Sequence, residues 1–284
     1  MQVTQVWIRT SLLALAVFAC AGESPVRIWE LPVRELSYCA VEIRGRPPAL
    51  DVAIALDGSR STRYPSGVDI DGNGRVGAFE NSVMTDPADS LLAAQVTAVR
   101  SLLRNVDWRD ARFSIVVFYG RLEQPAIEQP GIVVADQAVI AAPLTHVTTD
   151  LPALESALDR VLARGSFGTT QFSAGMRRAL VTLGDSPPSA AEPRRSVLLI
   201  SDSPHPVMIA ASEERSPRLD PLMKVAARKA IDEGVRFHTF GLAKASTAPT
   251  PHSLSRIAGA TGGTFQPVPD PENLHCHLLR ALLR

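Results

Sequence analysis

The feature that most constrains the fold of this chain is a series of short apolar runs separated by amphipathic segments. Leu50–Leu56, Arg112–Tyr119 and Ser196–Ile200 are runs of this kind. Strands that are apolar on both faces occur in parallel sheets covered by helices on both sides. The segments between the runs repeat their apolar residues with the period of a helix. The alternation predicts an α/β domain with a doubly wound, mostly parallel central sheet flanked by helices.

Weaker patterns predict the remaining elements of this domain. The segment 132–142 is only weakly apolar and is predicted as an edge strand. Ligands of such folds bind beyond the carboxyl ends of the strands, so functional residues are expected in the loops that follow strands. Helices are predicted at 88–105, 151–164, 172–183, 220–233, 251–260 and from 270 onward, and strands at 235–241 and 264–268.

The N-terminus has the features of an export signal. Arg9 precedes the short apolar stretch Ser11–Ala19, and small residues follow it. This pattern predicts a signal peptide over residues 1–21. Two forms of processing remain open: ordinary cleavage after Ala21, or a lipoprotein signal in which Cys20 is acylated.

Residues 22–48 are punctuated by proline and are predicted to form an N-terminal extension or linker, whereas residues 49–284 form the α/β domain. No other apolar stretch approaches the roughly 20 residues that a membrane-spanning helix needs. We therefore expect an exported protein that is periplasmic, an outer-membrane lipoprotein or extracellular. Contact with a membrane is expected only through a lipid anchor on Cys20, or not at all.

The charge balance bears on the class of partner. Lys+Arg number 29 and Asp+Glu number 29, which gives a net charge of zero. A nucleic-acid-binding protein needs a basic surface, so no nucleic-acid partner is expected. The pair Arg194-Arg195 is interpreted as part of a solvated face.

Two cysteines remain after the signal is removed, Cys39 and Cys276. Export to an oxidising compartment favours a disulfide between them. Two separate buried thiols are the alternative that the sequence leaves open.

Side chains that offer oxygen ligands lie at three points along the chain. Asp57, Ser59 and Ser61 follow the first apolar strand, Thr170 lies in the loop before a helix, and Asp202 follows another strand. The carboxyl ends of parallel strands share one edge of a sheet, so these residues are expected to converge. Two carboxylates and three hydroxyls suit Mg²⁺, Mn²⁺ or Ca²⁺ better than Zn²⁺.

These three pieces resemble the von Willebrand factor A domain and its metal-ion-dependent adhesion site. The segment Asp57–Ser61 matches the Asp-x-Ser-x-Ser of the family, Thr170 the threonine of its Gly-Gly-Thr-Asn-like segment, and Asp202 the aspartate of its Thr-Asp-Gly segment. Ile257–Thr264 looks like the last helix and strand of the family, so the resemblance covers about residues 49–284. It implies that these residues hold Mg²⁺ or Mn²⁺ and that an Asp or Glu of a partner protein completes the coordination of the ion.

A second metal site is predicted within an insertion at residues 62–87. Residues 69–80 have the sequence Asp-Ile-Asp-Gly-Asn-Gly-Arg-Val-Gly-Ala-Phe-Glu, which fits the twelve-residue calcium loop of an EF-hand. No helix is predicted before it, so it resembles the isolated calcium loops of exported bacterial proteins. An acidic, glycine-rich surface loop without a metal is the alternative. The expected Ca²⁺ ligands are Asp69, Asp71, Asn73, the carbonyl of Arg75, and Glu80.

The sequence therefore predicts an exported protein-binding module of the adhesion type, which binds a partner carboxylate through a divalent cation and is not an enzyme. Calcium is expected to order residues 62–87 and so to shape the partner surface. Two alternatives belong to other classes. One is a hydrolase that uses the metal to activate water, although no candidate base is evident beside the site. The other is a structural envelope protein whose metals only stabilise the fold.

Overall fold

The computed structural model describes residues 27–29, 39, 41–43, 49–81, 83–104, 108–120, 138–185, 192–202, 221–242 and 253–284. The predicted signal peptide and Cys20 lie outside the described residues. Within them, none of the helices has both the length and the apolar content that crossing a membrane requires.

The elements follow the alternation that the sequence predicts. The strands are β1 (Arg27–Trp29), β2 (Val41–Ile43), β3 (Leu50–Asp57), β4 (Phe79–Glu80), β5 (Val83–Met84), β6 (Ala111–Phe118), β7 (Ala138–His146), β8 (Arg194–Ser201), β9 (Arg236–Leu242) and β10 (Phe265–Val268). The helices are α1 (Leu91–Arg104), α2 (Val147–Arg164), α3 (Phe172–Gly184), α4 (Pro221–Asp232), α5 (Ser253–Thr261) and α6 (Leu274–Leu283). Short 3-10 turns lie at Arg60–Arg63, Pro87–Asp89 and Pro271–Asn273.

The central sheet of the described part of the chain has the strand order β10-β9-β8-β3-β6-β7. Every neighbouring pair is parallel except β6 and β7, which are antiparallel. The chain adds β6 and β7 on one side of β3 and then β8, β9 and β10 on the other. The direction of winding therefore reverses between β3 and β8, which is where such sheets open a crevice for ligands. The predicted fold class is confirmed.

The two faces of the sheet are covered by different helices, and β3 shows why its sequence is apolar throughout. Val52, Ile54 and Leu56 pack into one core layer with α1, α2 and α6, whereas Ala53 and Ala55 pack into a second layer with α3, α4 and α5. Every residue of β3 is buried. The strand is therefore the centre of the domain, and its carboxyl end carries Asp57.

The edge strand is displaced from its predicted position. It was expected at 132–142, but β7 occupies Ala138–His146, and residues 132–137 lie outside the described part of the chain. Half-exposed and exposed positions predominate along β7, and its pairing with β6 shifts register near Ile115. An edge strand of this kind carries only a weak apolar signal, so the sequence could not fix its ends.

The extension before the domain is joined to its last helix. Cys39 is fully buried and forms a disulfide with Cys276 of α6, with a Cα–Cα distance of 5.4 Å. Of the two alternatives that the sequence leaves open for these cysteines, the structure has the bonded one. In the same region, β1 and β2 pair as a short antiparallel sheet.

Loss of the disulfide is expected to destabilise the domain. The bond closes a loop with a sequence separation of 237 residues, for which the chain-entropy relation gives about 5 kcal/mol as an upper value. We expect the double variant Cys39→Ser/Cys276→Ser to lose about 2–5 kcal/mol of unfolding free energy in urea titrations. Adding a reductant to the double variant is the control. Equal urea midpoints for the oxidised wild type and the double variant would contradict the expectation.

Candidate metal centre

Asp57 is the last residue of β3 and lies entirely out of contact with solvent. Its backbone is held by one side chain of α1: the Asp57 N–H donates to Gln95 Oε1 at 3.1 Å, and Gln95 Nε2 donates to the Asp57 carbonyl at 3.2 Å. Gln95 is itself fully buried. These two hydrogen bonds fix the backbone of Asp57 at the end of β3 and so limit the positions that its carboxylate can take.

A chain of hydrogen bonds brings the five predicted adhesion-site residues together. The Ser59 N–H donates to Asp57 Oδ1 at 2.8 Å, and the Ser59 and Ser61 hydroxyl oxygens are 3.1 Å apart. The Thr170 hydroxyl donates to Ser59 Oγ at 3.0 Å. The Ser61 hydroxyl donates to Asp202 Oδ1 at 2.9 Å. Residues from three separate loops thus form one continuous set of oxygen atoms.

The loops that carry these residues are tied to one another by their backbones. The Arg60 N–H donates to the Gly168 carbonyl at 2.9 Å, and the Phe167 N–H donates to the Gly58 carbonyl at 2.9 Å. Gly58 also approaches β6 so closely that a Cβ atom there would lie 2.9 Å from a side-chain carbon of Val117. Only glycine fits this close approach without displacing its neighbour. Backbone contacts between these loops therefore hold the hydroxyls of Ser59, Ser61 and Thr170 in place.

Burial makes the two carboxylates of this set costly to ionise. Burial and, after it, the nearby charge of Asp202 raise the pKa of Asp57 to about 7, while hydrogen bonds from Ser201 and Ser59 oppose the shift. Burial likewise raises the pKa of Asp202, against a hydrogen bond from Ser61. A divalent cation would offset this cost, because it favours the charged form of both groups. The all-oxygen donors fit Mg²⁺ or Mn²⁺.

Two residues of this centre were not predicted from the sequence. Ser201, the last residue of β8, donates its hydroxyl to Asp57 Oδ2, and Gln95 holds the Asp57 backbone. Gln95 did leave a signal, because it is a polar residue on the face of α1 that Leu91, Leu92 and Val99 make apolar. A buried amide at such a position usually has a specific hydrogen-bonding partner. Ser201 left no comparable signal.

A second acidic group lies in the insertion. Oxygen atoms of Asp69, Asp71 and Asp89 lie within 4.8 Å of one another. Asp69 accepts backbone N–H groups from Gly72 and from Gly74, the latter at 2.9 Å. The predicted calcium loop therefore turns tightly around the carboxylate of its first residue.

The other three predicted calcium ligands, Asn73, Arg75 and Glu80, lie in different surroundings. The Asn73 amide donates to Asp71 Oδ2 at 3.2 Å and to Asp86 Oδ2 at 2.6 Å. Arg75 is exposed, and its N–H donates to Asn73 Oδ1 at 2.8 Å. Glu80 is exposed in β4, opposite Val83 of β5, and does not belong to the acidic group described above.

Asp89 is the member of the acidic group that sequence reasoning missed. It is fully buried in the turn just before α1, and its two carboxylate oxygens accept the N–H of Ile70 at 2.6 Å and of Gly77 at 2.8 Å. An acidic residue just ahead of a helix looks like an ordinary capping residue, so no local pattern assigns Asp89 to the loop. In the structure, Asp89 joins the loop to the start of α1 by accepting two of the loop's backbone N–H groups.

Comparison with known proteins identifies the fold. No protein-family model and no curated protein sequence matches this chain. A von Willebrand factor type A structure from Catenulispora acidiphila is 16% identical with a TM-score of 0.52, over 85% of this chain and 43% of that one. An aerotolerance-related membrane protein from Bacteroides fragilis, solved with multiple mutations to serine, is 15% identical with a TM-score of 0.51, over 82% and 98%. The PilB minor pilin from Streptococcus sanguinis is 10% identical with a TM-score of 0.53, over 84% and 62%.

At these identities the likeness concerns the fold alone. The chain has the fold of a von Willebrand factor A domain, as the resemblance of its motifs implied. It spans less than two thirds of the minor pilin and of the Catenulispora chain.

Asp57→Asn is expected to stabilise the metal-free protein, and more so at pH 8 than at pH 5. The pKa of Asp57 is about 7 in the folded protein, against a usual value of 3.8, so stability falls as pH rises through that range. Since one pKa unit corresponds to about 1.4 kcal/mol, the gain is on the order of 4 kcal/mol at pH 8 and 1–2 kcal/mol at pH 5. Urea unfolding in EDTA measures it.

The matched control for this experiment is Asp159→Asn, which removes the charge of an exposed aspartate in α2. That variant is expected to change the unfolding free energy by less than about 1 kcal/mol at either pH. An Asp57→Asn effect that is equal at pH 5 and pH 8 would show that the buried charge is not what the substitution relieves.

Proposed function

We propose that this protein is an exported, metal-dependent binding module that takes up Mg²⁺ or Mn²⁺ and binds a carboxylate of a partner protein. The observation that carries the proposal is the convergence of two buried carboxylates and three hydroxyls in the crevice between β3 and β8. The proposed ligands of the ion are Asp57, Ser59, Ser61, Thr170 and Asp202.

The chemistry of these ligands supports recognition of an acidic group. With only two charged protein ligands, a divalent ion keeps electrophilic character and can accept a further carboxylate. Arg60, between Ser59 and Ser61, is exposed and adds a positive charge at the rim. A partner that presents Asp or Glu is therefore favoured both by the ion and by the charge beside it.

Neighbouring aromatic residues extend this surface. The rings of Tyr119 and Phe167 are 4.1 Å apart, and the guanidinium of Arg164 lies 4.8 Å and 4.5 Å from their centroids. Phe167 is three residues before Thr170, and Tyr119 follows β6. Partly exposed aromatic and arginine side chains are the residues that most often anchor protein partners.

The same arrangement supports binding rather than hydrolysis. Hydrolysis through a metal-bound water needs a base placed beside it. The two carboxylates of the network are assigned as ligands, and the partners that hold them are hydroxyl and amide groups. A minor pilin shares the fold, which accords with a non-enzymatic role in adhesion.

We also propose that the protein works outside the cytoplasm. The disulfide between Cys39 and Cys276 is stable in oxidising compartments such as the periplasm and the extracellular space. Two solved proteins with this fold are a membrane protein and a pilin. The proposed signal peptide at residues 1–21 directs export, and both acylation of Cys20 and cleavage after Ala21 accord with it.

A calcium ion in the loop 69–80 completes the proposal. Asp69, Asp71 and Asn73 supply oxygen ligands at the spacing of an EF-hand loop, and Asp89 places a further carboxylate beside them. Because Asp89 lies two residues before the start of α1, and Gln95 of α1 holds the backbone of Asp57, an ordered loop supports the adhesion site. Calcium thus shapes the surface that the partner meets.

The function is tested by capture of envelope or secreted proteins on the immobilised domain. We expect a partner that is retained in about 1 mM Mg²⁺, released by EDTA, and lost with Thr170→Ala, which removes one neutral ligand and is expected to weaken Mg²⁺ binding about tenfold. Asp159→Ala is the control. Calorimetric titration with Mg²⁺ tests the ion separately. Capture that persists in EDTA, or equally with Thr170→Ala, would contradict the proposal.

Calcium binding is tested by limited proteolysis of residues 62–87 and by calorimetry. We expect Ca²⁺ to bind with Kd of about 10⁻⁴–10⁻³ M, as in other extracellular modules, and to slow cleavage of the segment. Asp71→Asn is expected to abolish the protection, whereas Asp159→Asn leaves it intact. Comparison of Glu80→Gln with Asp89→Asn identifies which carboxylate acts as the strong ligand. Cleavage that Ca²⁺ does not slow would exclude an ordering role.

A further inference from the structure

A cavity lined by arginine lies between α6 and the β10 edge of the sheet. Its volume is about 160 Å³, and its polar lining comes from Thr264, Gln266, His277, Arg280 and Arg284. Thr264 immediately precedes β10, and the two arginines lie at the carboxyl end of α6. Two strands, β9 and β8, lie between β10 and β3, so this cavity is separate from the proposed metal centre at the end of β3.

The sheet beneath α6 adds two more arginines. Arg194 begins β8 and donates a hydrogen bond to the Leu282 carbonyl of α6. Arg236 begins β9 and pairs in register with Ser196 of β8. Successive residues of a strand point to opposite faces of the sheet. Val197 of β8 and Phe237 of β9 pack in the core layer on the face away from α6. Arg194 and Ser196 of β8, and Arg236 of β9, therefore lie on the other face. The two arginines therefore face α6.

The pKa of His238 is affected by several of these arginines at once, so their charges act on the same part of the molecule. It is buried, and its Nδ1 lies 2.9 Å from the hydroxyl of Thr264, which lines the cavity. Burial and, after it, the charges of Arg194, Arg236 and Arg284 together lower the pKa of His238 to about 4. Within the cavity itself, burial and then Arg280 lower the pKa of His277.

The described residues do not balance these charges. None of the arginines at 194, 236, 280 and 284 forms an ion pair with an acidic side chain in the described part of the chain. The carboxyl end of α6 contributes a partial negative charge of only about half an elementary charge. Two guanidinium groups, those of Arg280 and Arg284, thus line the cavity, and two more lie on the sheet face that packs against α6.

An unsatisfied polar group lies on the same face of the sheet. The hydroxyl of Ser196 is buried and has no hydrogen-bond partner among the described residues. Ser196 pairs with Arg236 across the sheet, next to the pairing of Leu198 with His238. Buried hydroxyls are nearly always hydrogen-bonded to protein or to water, so this one indicates a water molecule or a polar ligand on the arginine-bearing face of the sheet.

We propose that this cavity binds a phosphate-type oxyanion, with Arg280 and Arg284 as its charged donors and with Thr264 and Gln266 as neutral donors. A guanidinium group presents two parallel N–H donors that match two oxygens of a phosphate. The cavity has room for a phosphate ion with a few water molecules, each of which takes about 30 Å³. The ligand is either the free ion or the terminal phosphate of a larger molecule.

The test uses the full chain in EDTA, so that no divalent ion is present to bind phosphate elsewhere. Calorimetric titration with inorganic phosphate at constant ionic strength is expected to give a Kd of about 1 mM or tighter, as charge-assisted contacts of this number allow. Arg280→Gln is expected to weaken binding at least tenfold. Arg280 is exposed and has no ion-pair partner in the described residues, so the variant is expected to fold.

Arg228→Gln is the matched control, because it removes one arginine charge from an exposed position of α4 on the other face of the sheet. It is expected to leave phosphate affinity unchanged. A shift of the His277 ring resonances on addition of phosphate, absent in Arg280→Gln, places the ion in the cavity. No binding up to about 10 mM, or equal weakening by Arg228→Gln and Arg280→Gln, would overturn the proposal.

Further titrations separate the sources of the anion. Tighter binding of glycerol 3-phosphate than of inorganic phosphate supports the terminal phosphate of a larger molecule, whereas the reverse order supports the free ion. Acetate that binds as tightly as phosphate would overturn the assignment to phosphate chemistry. Because Asp57→Asn removes a charge only from the metal centre, phosphate binding that survives in this variant separates the cavity from the proposed adhesion function.

Discussion

The carboxylate of Asp57 is buried at the end of a strand that is covered on both faces, and much of the surrounding structure holds it there. Gln95 fixes the backbone, Ser59 and Ser201 donate to the side chain, and the charge of Asp202 lies close by. A carboxylate without such partners would not remain charged in the core. The loops after β3 and β8 and the loop before α3 therefore share one purpose, which is to surround this group with oxygen and N–H groups.

The sequence predicted those parts of the molecule that depend on local pattern. Apolar runs predicted the central strands, and the rule that ligands lie at the carboxyl ends of strands predicted that Asp57, Thr170 and Asp202 converge. Asp89 and Gln95 depend on contacts between segments distant in the chain, and each has an ordinary local interpretation as a cap or a helix residue. Arg194 was interpreted as part of a solvated face, but the structure sets its guanidinium against the end of α6. No local pattern shows which arginines a fold will bring together.

The helix α1 connects the two proposed metal sites. Its amino end follows Asp89, which holds the backbone of the loop 69–80 at two points, and one turn into the helix Gln95 holds the backbone of Asp57. A helix packed along its length moves as a unit, since its core side chains leave no room for local bending. The position of the loop and the position of the buried carboxylate are therefore mechanically related, even though the two groups of ligands are separate.

The disulfide between Cys39 and Cys276 also decides how the domain carries tension. A pull applied to the chain ahead of Cys39 passes through the covalent bond to the first turn of α6 rather than to the start of β3. Unzipping the sheet from its central strand would then require the sulfur–sulfur bond to break first. The force instead reaches the sheet through the apolar face of α6. To separate the helix from the sheet, many packing contacts would have to break at the same time. In a tethered protein, this arrangement keeps the pull of the tether off β3, the strand that carries Asp57.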